Sequence, residues 1–561
     1  MTVDREKMRW NGWGWAAHAD SFADRSDLWN WLTAQLGMPS LLATPAHSLD
    51  EIELPLSRLS LNDKQHFATL LGADRVRDEK YERAFHARGQ SYHDLLRVRA
   101  GDLSNVPDAV LYPRGTDEVL AVLAYASDRN IAVVPFGGGT SVVGGVDASC
   151  ETFHACLAVD LSGMARLVDV DTVSLTAKAE AGIYGPALEK ALKEKGVTLG
   201  HYPQSFEFST LGGWIAHRGA GQQSARYGKA ENWIVSAKLA TPNGLLETEY
   251  FPASAAGPRL TDIVVGSEGA FGIITEAQVR VRAIPQTHDY RAYLFHDFAK
   301  GAAAIRRAAQ DRLPVAMIRL SDADETLFYR AYGSVGKKPG LADRLTSRYL
   351  TWKGFDDQAC AMIVGFEGDS HEIDQSKNQF SAIAKSFGAL NLGFKSGRRW
   401  YEGRFQGPYL RDPLMDRGIG VDTLETAASW SKVDTLYLAV RSALEKSIAE
   451  TVPRLGARGV VMCHISHSYP DGASLYFTYI FPRALDGEIA QWQKIKTAAS
   501  DAIKANGGTI SHHHGVGQDH LPWIAEEKGE LGIEVLRAIK RTLDPKGILN
   551  PGKLIPPQTP P

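Results

Sequence analysis

Three turns stripped of side chains recur along one stretch of this chain and limit what it can fold into. Gly137-Gly138-Gly139 follows the apolar run Ile131–Phe136. Gly212-Gly213 lies in a segment that opens Gly200-His201-Tyr202-Pro203-Gln204-Ser205 and runs to Thr241-Pro242-Asn243-Gly244. Gly266-Ser267-Glu268-Gly269-Ala270-Phe271-Gly272 completes the set. Glycine lets backbone N–H groups approach a ligand closely, and such groups favour anions. One such run reads equally well as a tight turn. Three, alternating with strand-like runs, point to a large phosphorylated cofactor.

The usual nucleotide loops do not account for them. Gly137-Gly138-Gly139-Thr140-Ser141-Val142 does not give the spacing G-x-G-x-x-G, and no acidic residue caps a second strand in the expected place. A Walker loop fails as well, because no glycine run ends in Gly-Lys-Ser/Thr.

With 561 residues the chain exceeds one ordinary domain. Its formal charge of −3 provides no basic field, so no nucleic acid partner is expected. Cys150, Cys156, Cys360 and Cys463 show no C-x-x-C spacing and read as reduced packing residues of an intracellular protein. No apolar run approaches the ~18 residues that span a bilayer. Neither end carries a signal core or a peroxisomal tripeptide. The expectation is a cytoplasmic protein, with peripheral membrane contact through a local apolar patch left open.

The pattern predicts an α+β chain in four parts. Residues 1–100 read as a helical, Trp-rich lead-in, from Arg9-Trp10-Asn11-Gly12-Trp13-Gly14-Trp15 to the helical spacing of Asp27-Leu28-Trp29-Asn30-Trp31-Leu32. Residues 101–285 alternate strands (109–112, 131–135, 156–160, 174–180, 234–241, 273–282) with helices (116–129, 185–195). Residues 286–505 hold further strands at 290–295, 317–320, 360–366 and 474–481 and a helix at 298–311. Residues 506–561 bring a glycine turn, a histidine cluster, one helix at 523–542 and the stop Leu543-Asp544-Pro545.

Pro135-Phe136-Gly137-Gly138-Gly139-Thr140-Ser141 resembles the diphosphate loop of the FAD-binding domain of the vanillyl-alcohol oxidase superfamily. Trp10-Asn11-Gly12-Trp13-Gly14, His201-x-Pro203, Phe206–Trp214 and Ser511-His512-His513-His514-Gly515-Val516-Gly517 are similar to the alkyldihydroxyacetonephosphate synthase family, over about residues 9 to 555. The resemblance implies a two-part FAD-binding domain over 101–285, a separate cap domain for substrate over 286–505, and a C-terminal segment returning to the flavin. FAD would rest on Pro135, Phe136, Gly137, Gly138, Gly139, Thr140, Ser141 and Val142. Further contacts are implied from Pro203, Ser205, Ser209, Thr210, Gly213 and Trp214, and from Glu268, Gly269, Gly272 and Ile273. Some relatives bind flavin covalently through a histidine in the first loop. Gly138, Gly139 and Thr140 cannot form that bond, so non-covalent FAD is expected.

A flavin alone does not choose a reaction. Taken residue by residue, a tyrosine in an apolar strand is usually core and an arginine usually an ion-pair group. Three histidines between glycine turns make poor helix and poor core. The resemblance implies that Tyr476 handles the proton at C1 of acyl-dihydroxyacetone phosphate, with His513, His514 and His201 assisting. Arg411, in Tyr409-Leu410-Arg411-Asp412, would bind the substrate phosphate, with His512 also on the substrate side, and Arg319 would support the flavin site. A fatty acid leaves and a long-chain fatty alcohol enters, giving an ether without net redox. A homodimer is expected on the same ground, and an apolar tunnel near Phe477, Tyr479 and Phe481.

The main rival is an FAD-dependent 2-hydroxyacid dehydrogenase of the same superfamily, which holds a divalent metal through Gly-His-x-Gly-Asp-Gly-Asn-Leu-His and Glu-His-Gly-Ile-Gly. Here Tyr476 replaces the second ligand histidine and His513 the ligand glutamate, leaving His464 and His467 without obvious partners, so no metal is expected. A third reading is a flavoprotein scaffold without catalysis, against which Tyr476, His514 and Arg411 stand together. Pro203-Gln204-Ser205 where the family has Pro-Asp-Ser, and Gln518-Asp519-His520 where it carries a basic residue, bear on substrate specificity rather than on the cofactor.

Overall fold

The apolar run at 131–136 is buried almost throughout, as a strand covered on both faces must be. The computed structural model describes residues 4–18, 25–334 and 340–557. In its first sheet β1 (Val76–Arg77), β2 (Ala109–Leu111), β3 (Ile131–Phe136) and β4 (Ala155–Asp160) lie in the order β1-β2-β4-β3. β2 and β3 both run parallel to β4, while β1 is antiparallel to β2. Parallel neighbours need a crossover, and the helix Thr116–Asp128, buried through Val119, Val122, Leu123 and Ala126, makes part of it.

Seven short strands follow: β5 (Leu167–Asp171), β6 (Thr176–Glu180), β7 (Val197–Thr198), β8 (Ile234–Thr241), β9 (Gly244–Glu247), β10 (Ile273–Arg280) and β11 (Arg282–Ala283). β7 pairs with β11, and the other five form an antiparallel sheet ordered β5-β6-β10-β8-β9. These strands share one apolar core with the first sheet.

The third sheet has seven strands: β12 (Thr287–Phe295), β13 (Met317–Ser321), β14 (Cys360–Gly368), β15 (Leu390–Gly393), β16 (Ile419–Ser429), β17 (Val460–Ile465) and β18 (Gly472–Pro482). All pair antiparallel in the order β15-β12-β14-β13-β17-β18-β16. Side chains alternate along a strand. In β18, Phe477, Tyr479 and Phe481 therefore point into a core shared with the helices Phe298–Gln310, Ser370–Ser386, Trp430–Ala449 and Glu488–Ala505. Each of the three is fully buried, so an apolar tunnel does not run along them. Tyr476 sits on the opposite face and is only partly buried.

The chain end returns to the first sheet. Leu549 bridges Val133 in parallel, and Asn550 Nδ2 donates to the carbonyls of Gly145 (2.9 Å) and Glu268 (2.6 Å). Two readings of the sequence are corrected. The helix expected over 523–542 is two, Leu521–Lys528 and Glu530–Leu543, because Gly529 takes φ 71° and ends the first. The lead-in is helical at Ser26–Leu36, Leu61–Leu71, Lys80–Phe85 and Tyr92–Arg99. Its Trp10–Trp15 stretch is instead a turn closed by a Met8–Trp15 bridge, and Val76–Arg77 joins the sheet. Met1–Val3 and Gln558–Pro561, read above for targeting signals, lie outside the described residues. Among the described residues no helix is long and apolar enough to cross a membrane.

Candidate active site

The first glycine turn offers an unusual run of free donors. Among the described residues, no backbone N–H from Gly137 through Val142 has a protein acceptor. Backbone donors are normally paired unless solvent or a ligand takes them. Side chains are excluded sterically: a Cβ at Gly138 would fall onto the Phe208 carbonyl, and one at Gly139, where φ is 67°, would lie 2.5 Å from the Phe136 ring. Ser141 fastens the loop, its Oγ accepting from Gly145 N (3.0 Å) and its carbonyl from Gln90 N (2.6 Å). The loop fits an anionic diphosphate.

The second segment packs against the first. The Ser205 carbonyl accepts from Ser209 Oγ (2.9 Å), which accepts from Trp214 Nε1 (2.7 Å). Thr210 caps the short helix Leu211–Ala216 through Gly213 N. Pro203 supports the preceding turn, its carbonyl accepting from Phe206 N. In the third segment Gly269 lies against Pro135, where a Cβ would sit 2.8 Å from Cγ. Gly272 and Ile273 do something different: they pack on Leu239 and into the core as β10 begins. A narrow cleft lies between the first loop and the Trp10–Gly14 turn, with Arg88, Gln90 and Phe208 in its wall.

The histidine run meets Tyr476 from across the sheet. The Tyr476 ring stacks on His464, with centroids 4.8 Å apart and planes 17° from parallel. His513 lies 6.1 Å away and His514 edge-on at 5.4 Å. Burial pushes the Tyr476 phenol up to about 12, with the charge of Glu425 acting in the same direction. Burial drives His514 down to about 3, against the pull of Glu425. At neutral pH the site therefore holds a phenol beside a neutral imidazole.

Two buried carboxylates hold the turn 511–517 in place. Glu425, opposite Tyr476 in the β16–β18 register, accepts from the backbone N–H groups of His512 (2.8 Å), His513 (3.0 Å) and His514 (2.9 Å) and from Ser511 Oγ (2.8 Å). Glu268, in the third glycine segment, accepts from Val516 N (2.6 Å) and Gly517 N (2.7 Å). Each of them closes donors that a glycine-rich turn would otherwise leave unmet.

The remaining predicted residues are placed as follows. Arg319 donates to Glu325 (2.9 Å) and bonds His464 Nε2 (3.1 Å), so it braces the ring that stacks on Tyr476. Arg411 places both terminal nitrogens on Gln90, Nη1 donating to the carbonyl (2.8 Å) and Nη2 to Oε1 (3.4 Å), while its Nε is buried without a partner. His201 is packed between Trp214 and Trp233 with both ring nitrogens unpartnered, and burial lowers it to about 3. His512 has both nitrogens engaged, one with Tyr469 Oη (2.6 Å) and one with His513 Nδ1 (3.0 Å).

His464 and His467 are not without partners, contrary to the sequence reading. His464 bonds Glu325 and Arg319. His467 bonds Ser224 Oγ (2.6 Å) and stacks on His512 at 5.0 Å. Nitrogens of His467, His512 and His513 come within 4.8 Å of one another, close enough for a metal ion in principle. Within this cluster His512 Nδ1 bonds His513 Nδ1 and His512 Nε2 bonds Tyr469 Oη.

Sequence reasoning missed Glu425, Lys229, whose Nζ donates to the His512 carbonyl (2.7 Å), and His217, whose unpartnered Nε2 lies where a Cβ on Gly145 would reach it at 3.0 Å. A glutamate inside the strand β16 was the one available signal for Glu425. Arg5 was also missed; it donates to the Gly137 carbonyl at 2.7 Å.

Family models match the chain in two places, "FAD binding domain" over residues 107–249 and "FAD linked oxidases, C-terminal domain" over 284–554. An alkyldihydroxyacetonephosphate synthase of Dictyostelium discoideum is 34% identical, over 98% of this chain and 94% of that one. A solved alkyldihydroxyacetonephosphate synthase structure superposes with a TM-score of 0.82 at 31% identity, covering 98% of this chain and 99% of the other. The structure of p-cresol methylhydroxylase with substrate bound superposes at 0.64 with 15% identity, covering 87% and 95%, which is likeness of fold alone.

Proposed function

The chain belongs to the alkyldihydroxyacetonephosphate synthase family, FAD enzymes with the vanillyl-alcohol oxidase type of fold, and on that premise we propose how its own residues carry the reaction. The substrates are acyl-dihydroxyacetone phosphate and a long-chain fatty alcohol. The C1–O bond to the acyl group breaks, and the fatty acid leaves with that oxygen. The alcohol oxygen makes the new C1–O bond and gives up its proton, so the product is an ether and no electron is lost.

FAD is held by the 135–142 loop, the 203–214 segment and Glu268–Gly269, without a covalent bond. Bound there, the flavin supplies an electron-poor ring able to accept a carbanion-like carbon. Tyr476 handles the C1 proton, and the His513 and His514 imidazoles beside it take up and return it. Arg411, whose Nε is unpartnered and whose two terminal nitrogens rest on Gln90, binds the phosphate. His201 and His512 stand behind these groups, and Arg319 holds His464 against the phenol.

The single observation that carries the reading is the Tyr476 ring packed among His464, His513 and His514, where the metal-dependent relatives would need a ligand histidine. Incubating the purified yellow protein with acyl-dihydroxyacetone phosphate and labelled hexadecanol should yield labelled ether. Flavin bleaching by 2-hydroxyacids, with no ether formed, would instead support the dehydrogenase.

The lipid substrates also give sense to peripheral membrane contact of a cytoplasmic homodimer, the homodimer resting on family resemblance alone. On the helix Leu341–Trp352, Leu345, Tyr349 and Trp352 are exposed, and the adjoining Lys353 Nζ stands 4.9 Å from the Trp352 ring centre. Aromatic and basic side chains together suit a headgroup interface. Co-sedimentation with anionic vesicles that is weakened in Trp352→Ala supports this surface; equal binding by the variant would remove it.

A further inference from the structure

We propose that Glu425 is a positioning residue of the exchange: its carboxylate fixes the His513 and His514 rings beside Tyr476 and provides the counter-charge for the proton they carry. The assignment rests on the function proposed above.

Glu425 is 1% exposed, and among the described residues no lysine or arginine pairs with it. A buried carboxylate in that position is costly unless it is hydrogen-bonded. Four donors converge on it, the N–H groups of three successive histidines and the Ser511 hydroxyl. Its Oε2 also lies 3.4 Å from His513 Nδ1, and its Oε1 3.9 Å from His514 Nδ1. The neighbouring histidines hold the acid well below the usual carboxylate range, despite burial. Charged or titratable groups around it include Tyr476 on β18, His512 in the turn, His520 just after it and, behind the turn, Lys229, His467 and Tyr469.

The geometry does two things at once. It sets the backbone of the turn, and so the direction of the rings. It also leaves one full negative charge beside imidazoles that face the phenol. A glutamine at 425 would keep the shape but lose the charge, and its amide group would turn a donor toward one of the N–H groups that Glu425 now accepts.

The test compares wild type, Glu425→Gln and Glu425→Asp in ether formation, with flavin occupancy and KM for acyl-dihydroxyacetone phosphate measured alongside. The expected result is flavin occupancy and KM near wild type in Glu425→Gln, kcat lower by at least about 100-fold, and partial recovery in Glu425→Asp. Wild-type kcat in Glu425→Gln overturns the assignment. Activity lost only in proportion to lost flavin, with no recovery in Glu425→Asp, also overturns it and makes the residue a purely structural clamp. Absence of ether from the wild-type chain would instead overturn the proposed function itself, and this assignment with it.

Discussion

His464 lies flat against Tyr476, 4.8 Å between ring centres, and is itself held by Glu325 and Arg319. The phenol therefore rests on a rigid support from β17, leaving its other surroundings to the histidine turn. Burial lifts it to about 12, so it enters the reaction as a proton donor and acceptor rather than as a standing phenolate. Removing the hydroxyl should remove proton handling but leave the ring stack. Tyr476→Phe is expected to lower turnover by about 10²–10⁴-fold with flavin content unchanged. Turnover equal to wild type would take Tyr476 out of the chemistry.

The cofactor loop has no room at Gly138. A methyl group there meets the Phe208 carbonyl, which belongs to the second cofactor segment. Gly138→Ala must push the two segments apart, at a cost of about 1–3 kcal/mol. The expected result is loss of most bound flavin, read by absorbance after gel filtration, together with a lower melting temperature. A variant with full flavin occupancy would contradict the role given to the loop.

Acid should weaken the fold in a predictable window. His201 and His514 are held near 3 and His520 near 4, all by burial. These folded values lie below that of an unfolded histidine, so the unfolded chain binds more protons as pH falls. The stability they contribute is full above about 6.5 and is lost progressively towards 4 and 3. Asp322, raised by burial to about 7, works in the opposite direction and offsets part of the loss. His520→Gln should flatten the acid side of the stability curve by up to about 1.4 kcal/mol per pH unit between 6.5 and 4. An unchanged slope in chemical denaturation would show that His520 titrates normally.

The sequence made the cofactor side legible and the proton side only partly so. Gly137-Gly138-Gly139 could be read because close backbone approach requires the absence of a side chain, and that absence is written in the residue type. Strands such as Ile131–Phe136 and Gly472–Pro482 were visible from their β-branched and aromatic runs. Tyr476 and His514 gained meaning only through family resemblance, since a tyrosine in an apolar strand looks like core. Its neighbours Phe477, Tyr479 and Phe481 are core, and the alternation that separates them from Tyr476 was not used. Glu425 was illegible because its partners lie 86 to 89 residues away and are mostly backbone N–H groups, which no residue pattern marks. The break at Gly529 was overlooked because the apolar spacing continues across it.

The most direct test is stoichiometric. In the absence of oxygen and of any electron acceptor, the protein is given acyl-dihydroxyacetone phosphate and labelled hexadecanol, and free fatty acid and labelled ether are counted over many turnovers. The account predicts one fatty acid released per ether formed, continuing far beyond one equivalent of flavin. Product that stops at a single equivalent, or that forms only when a dye accepts electrons, would contradict it.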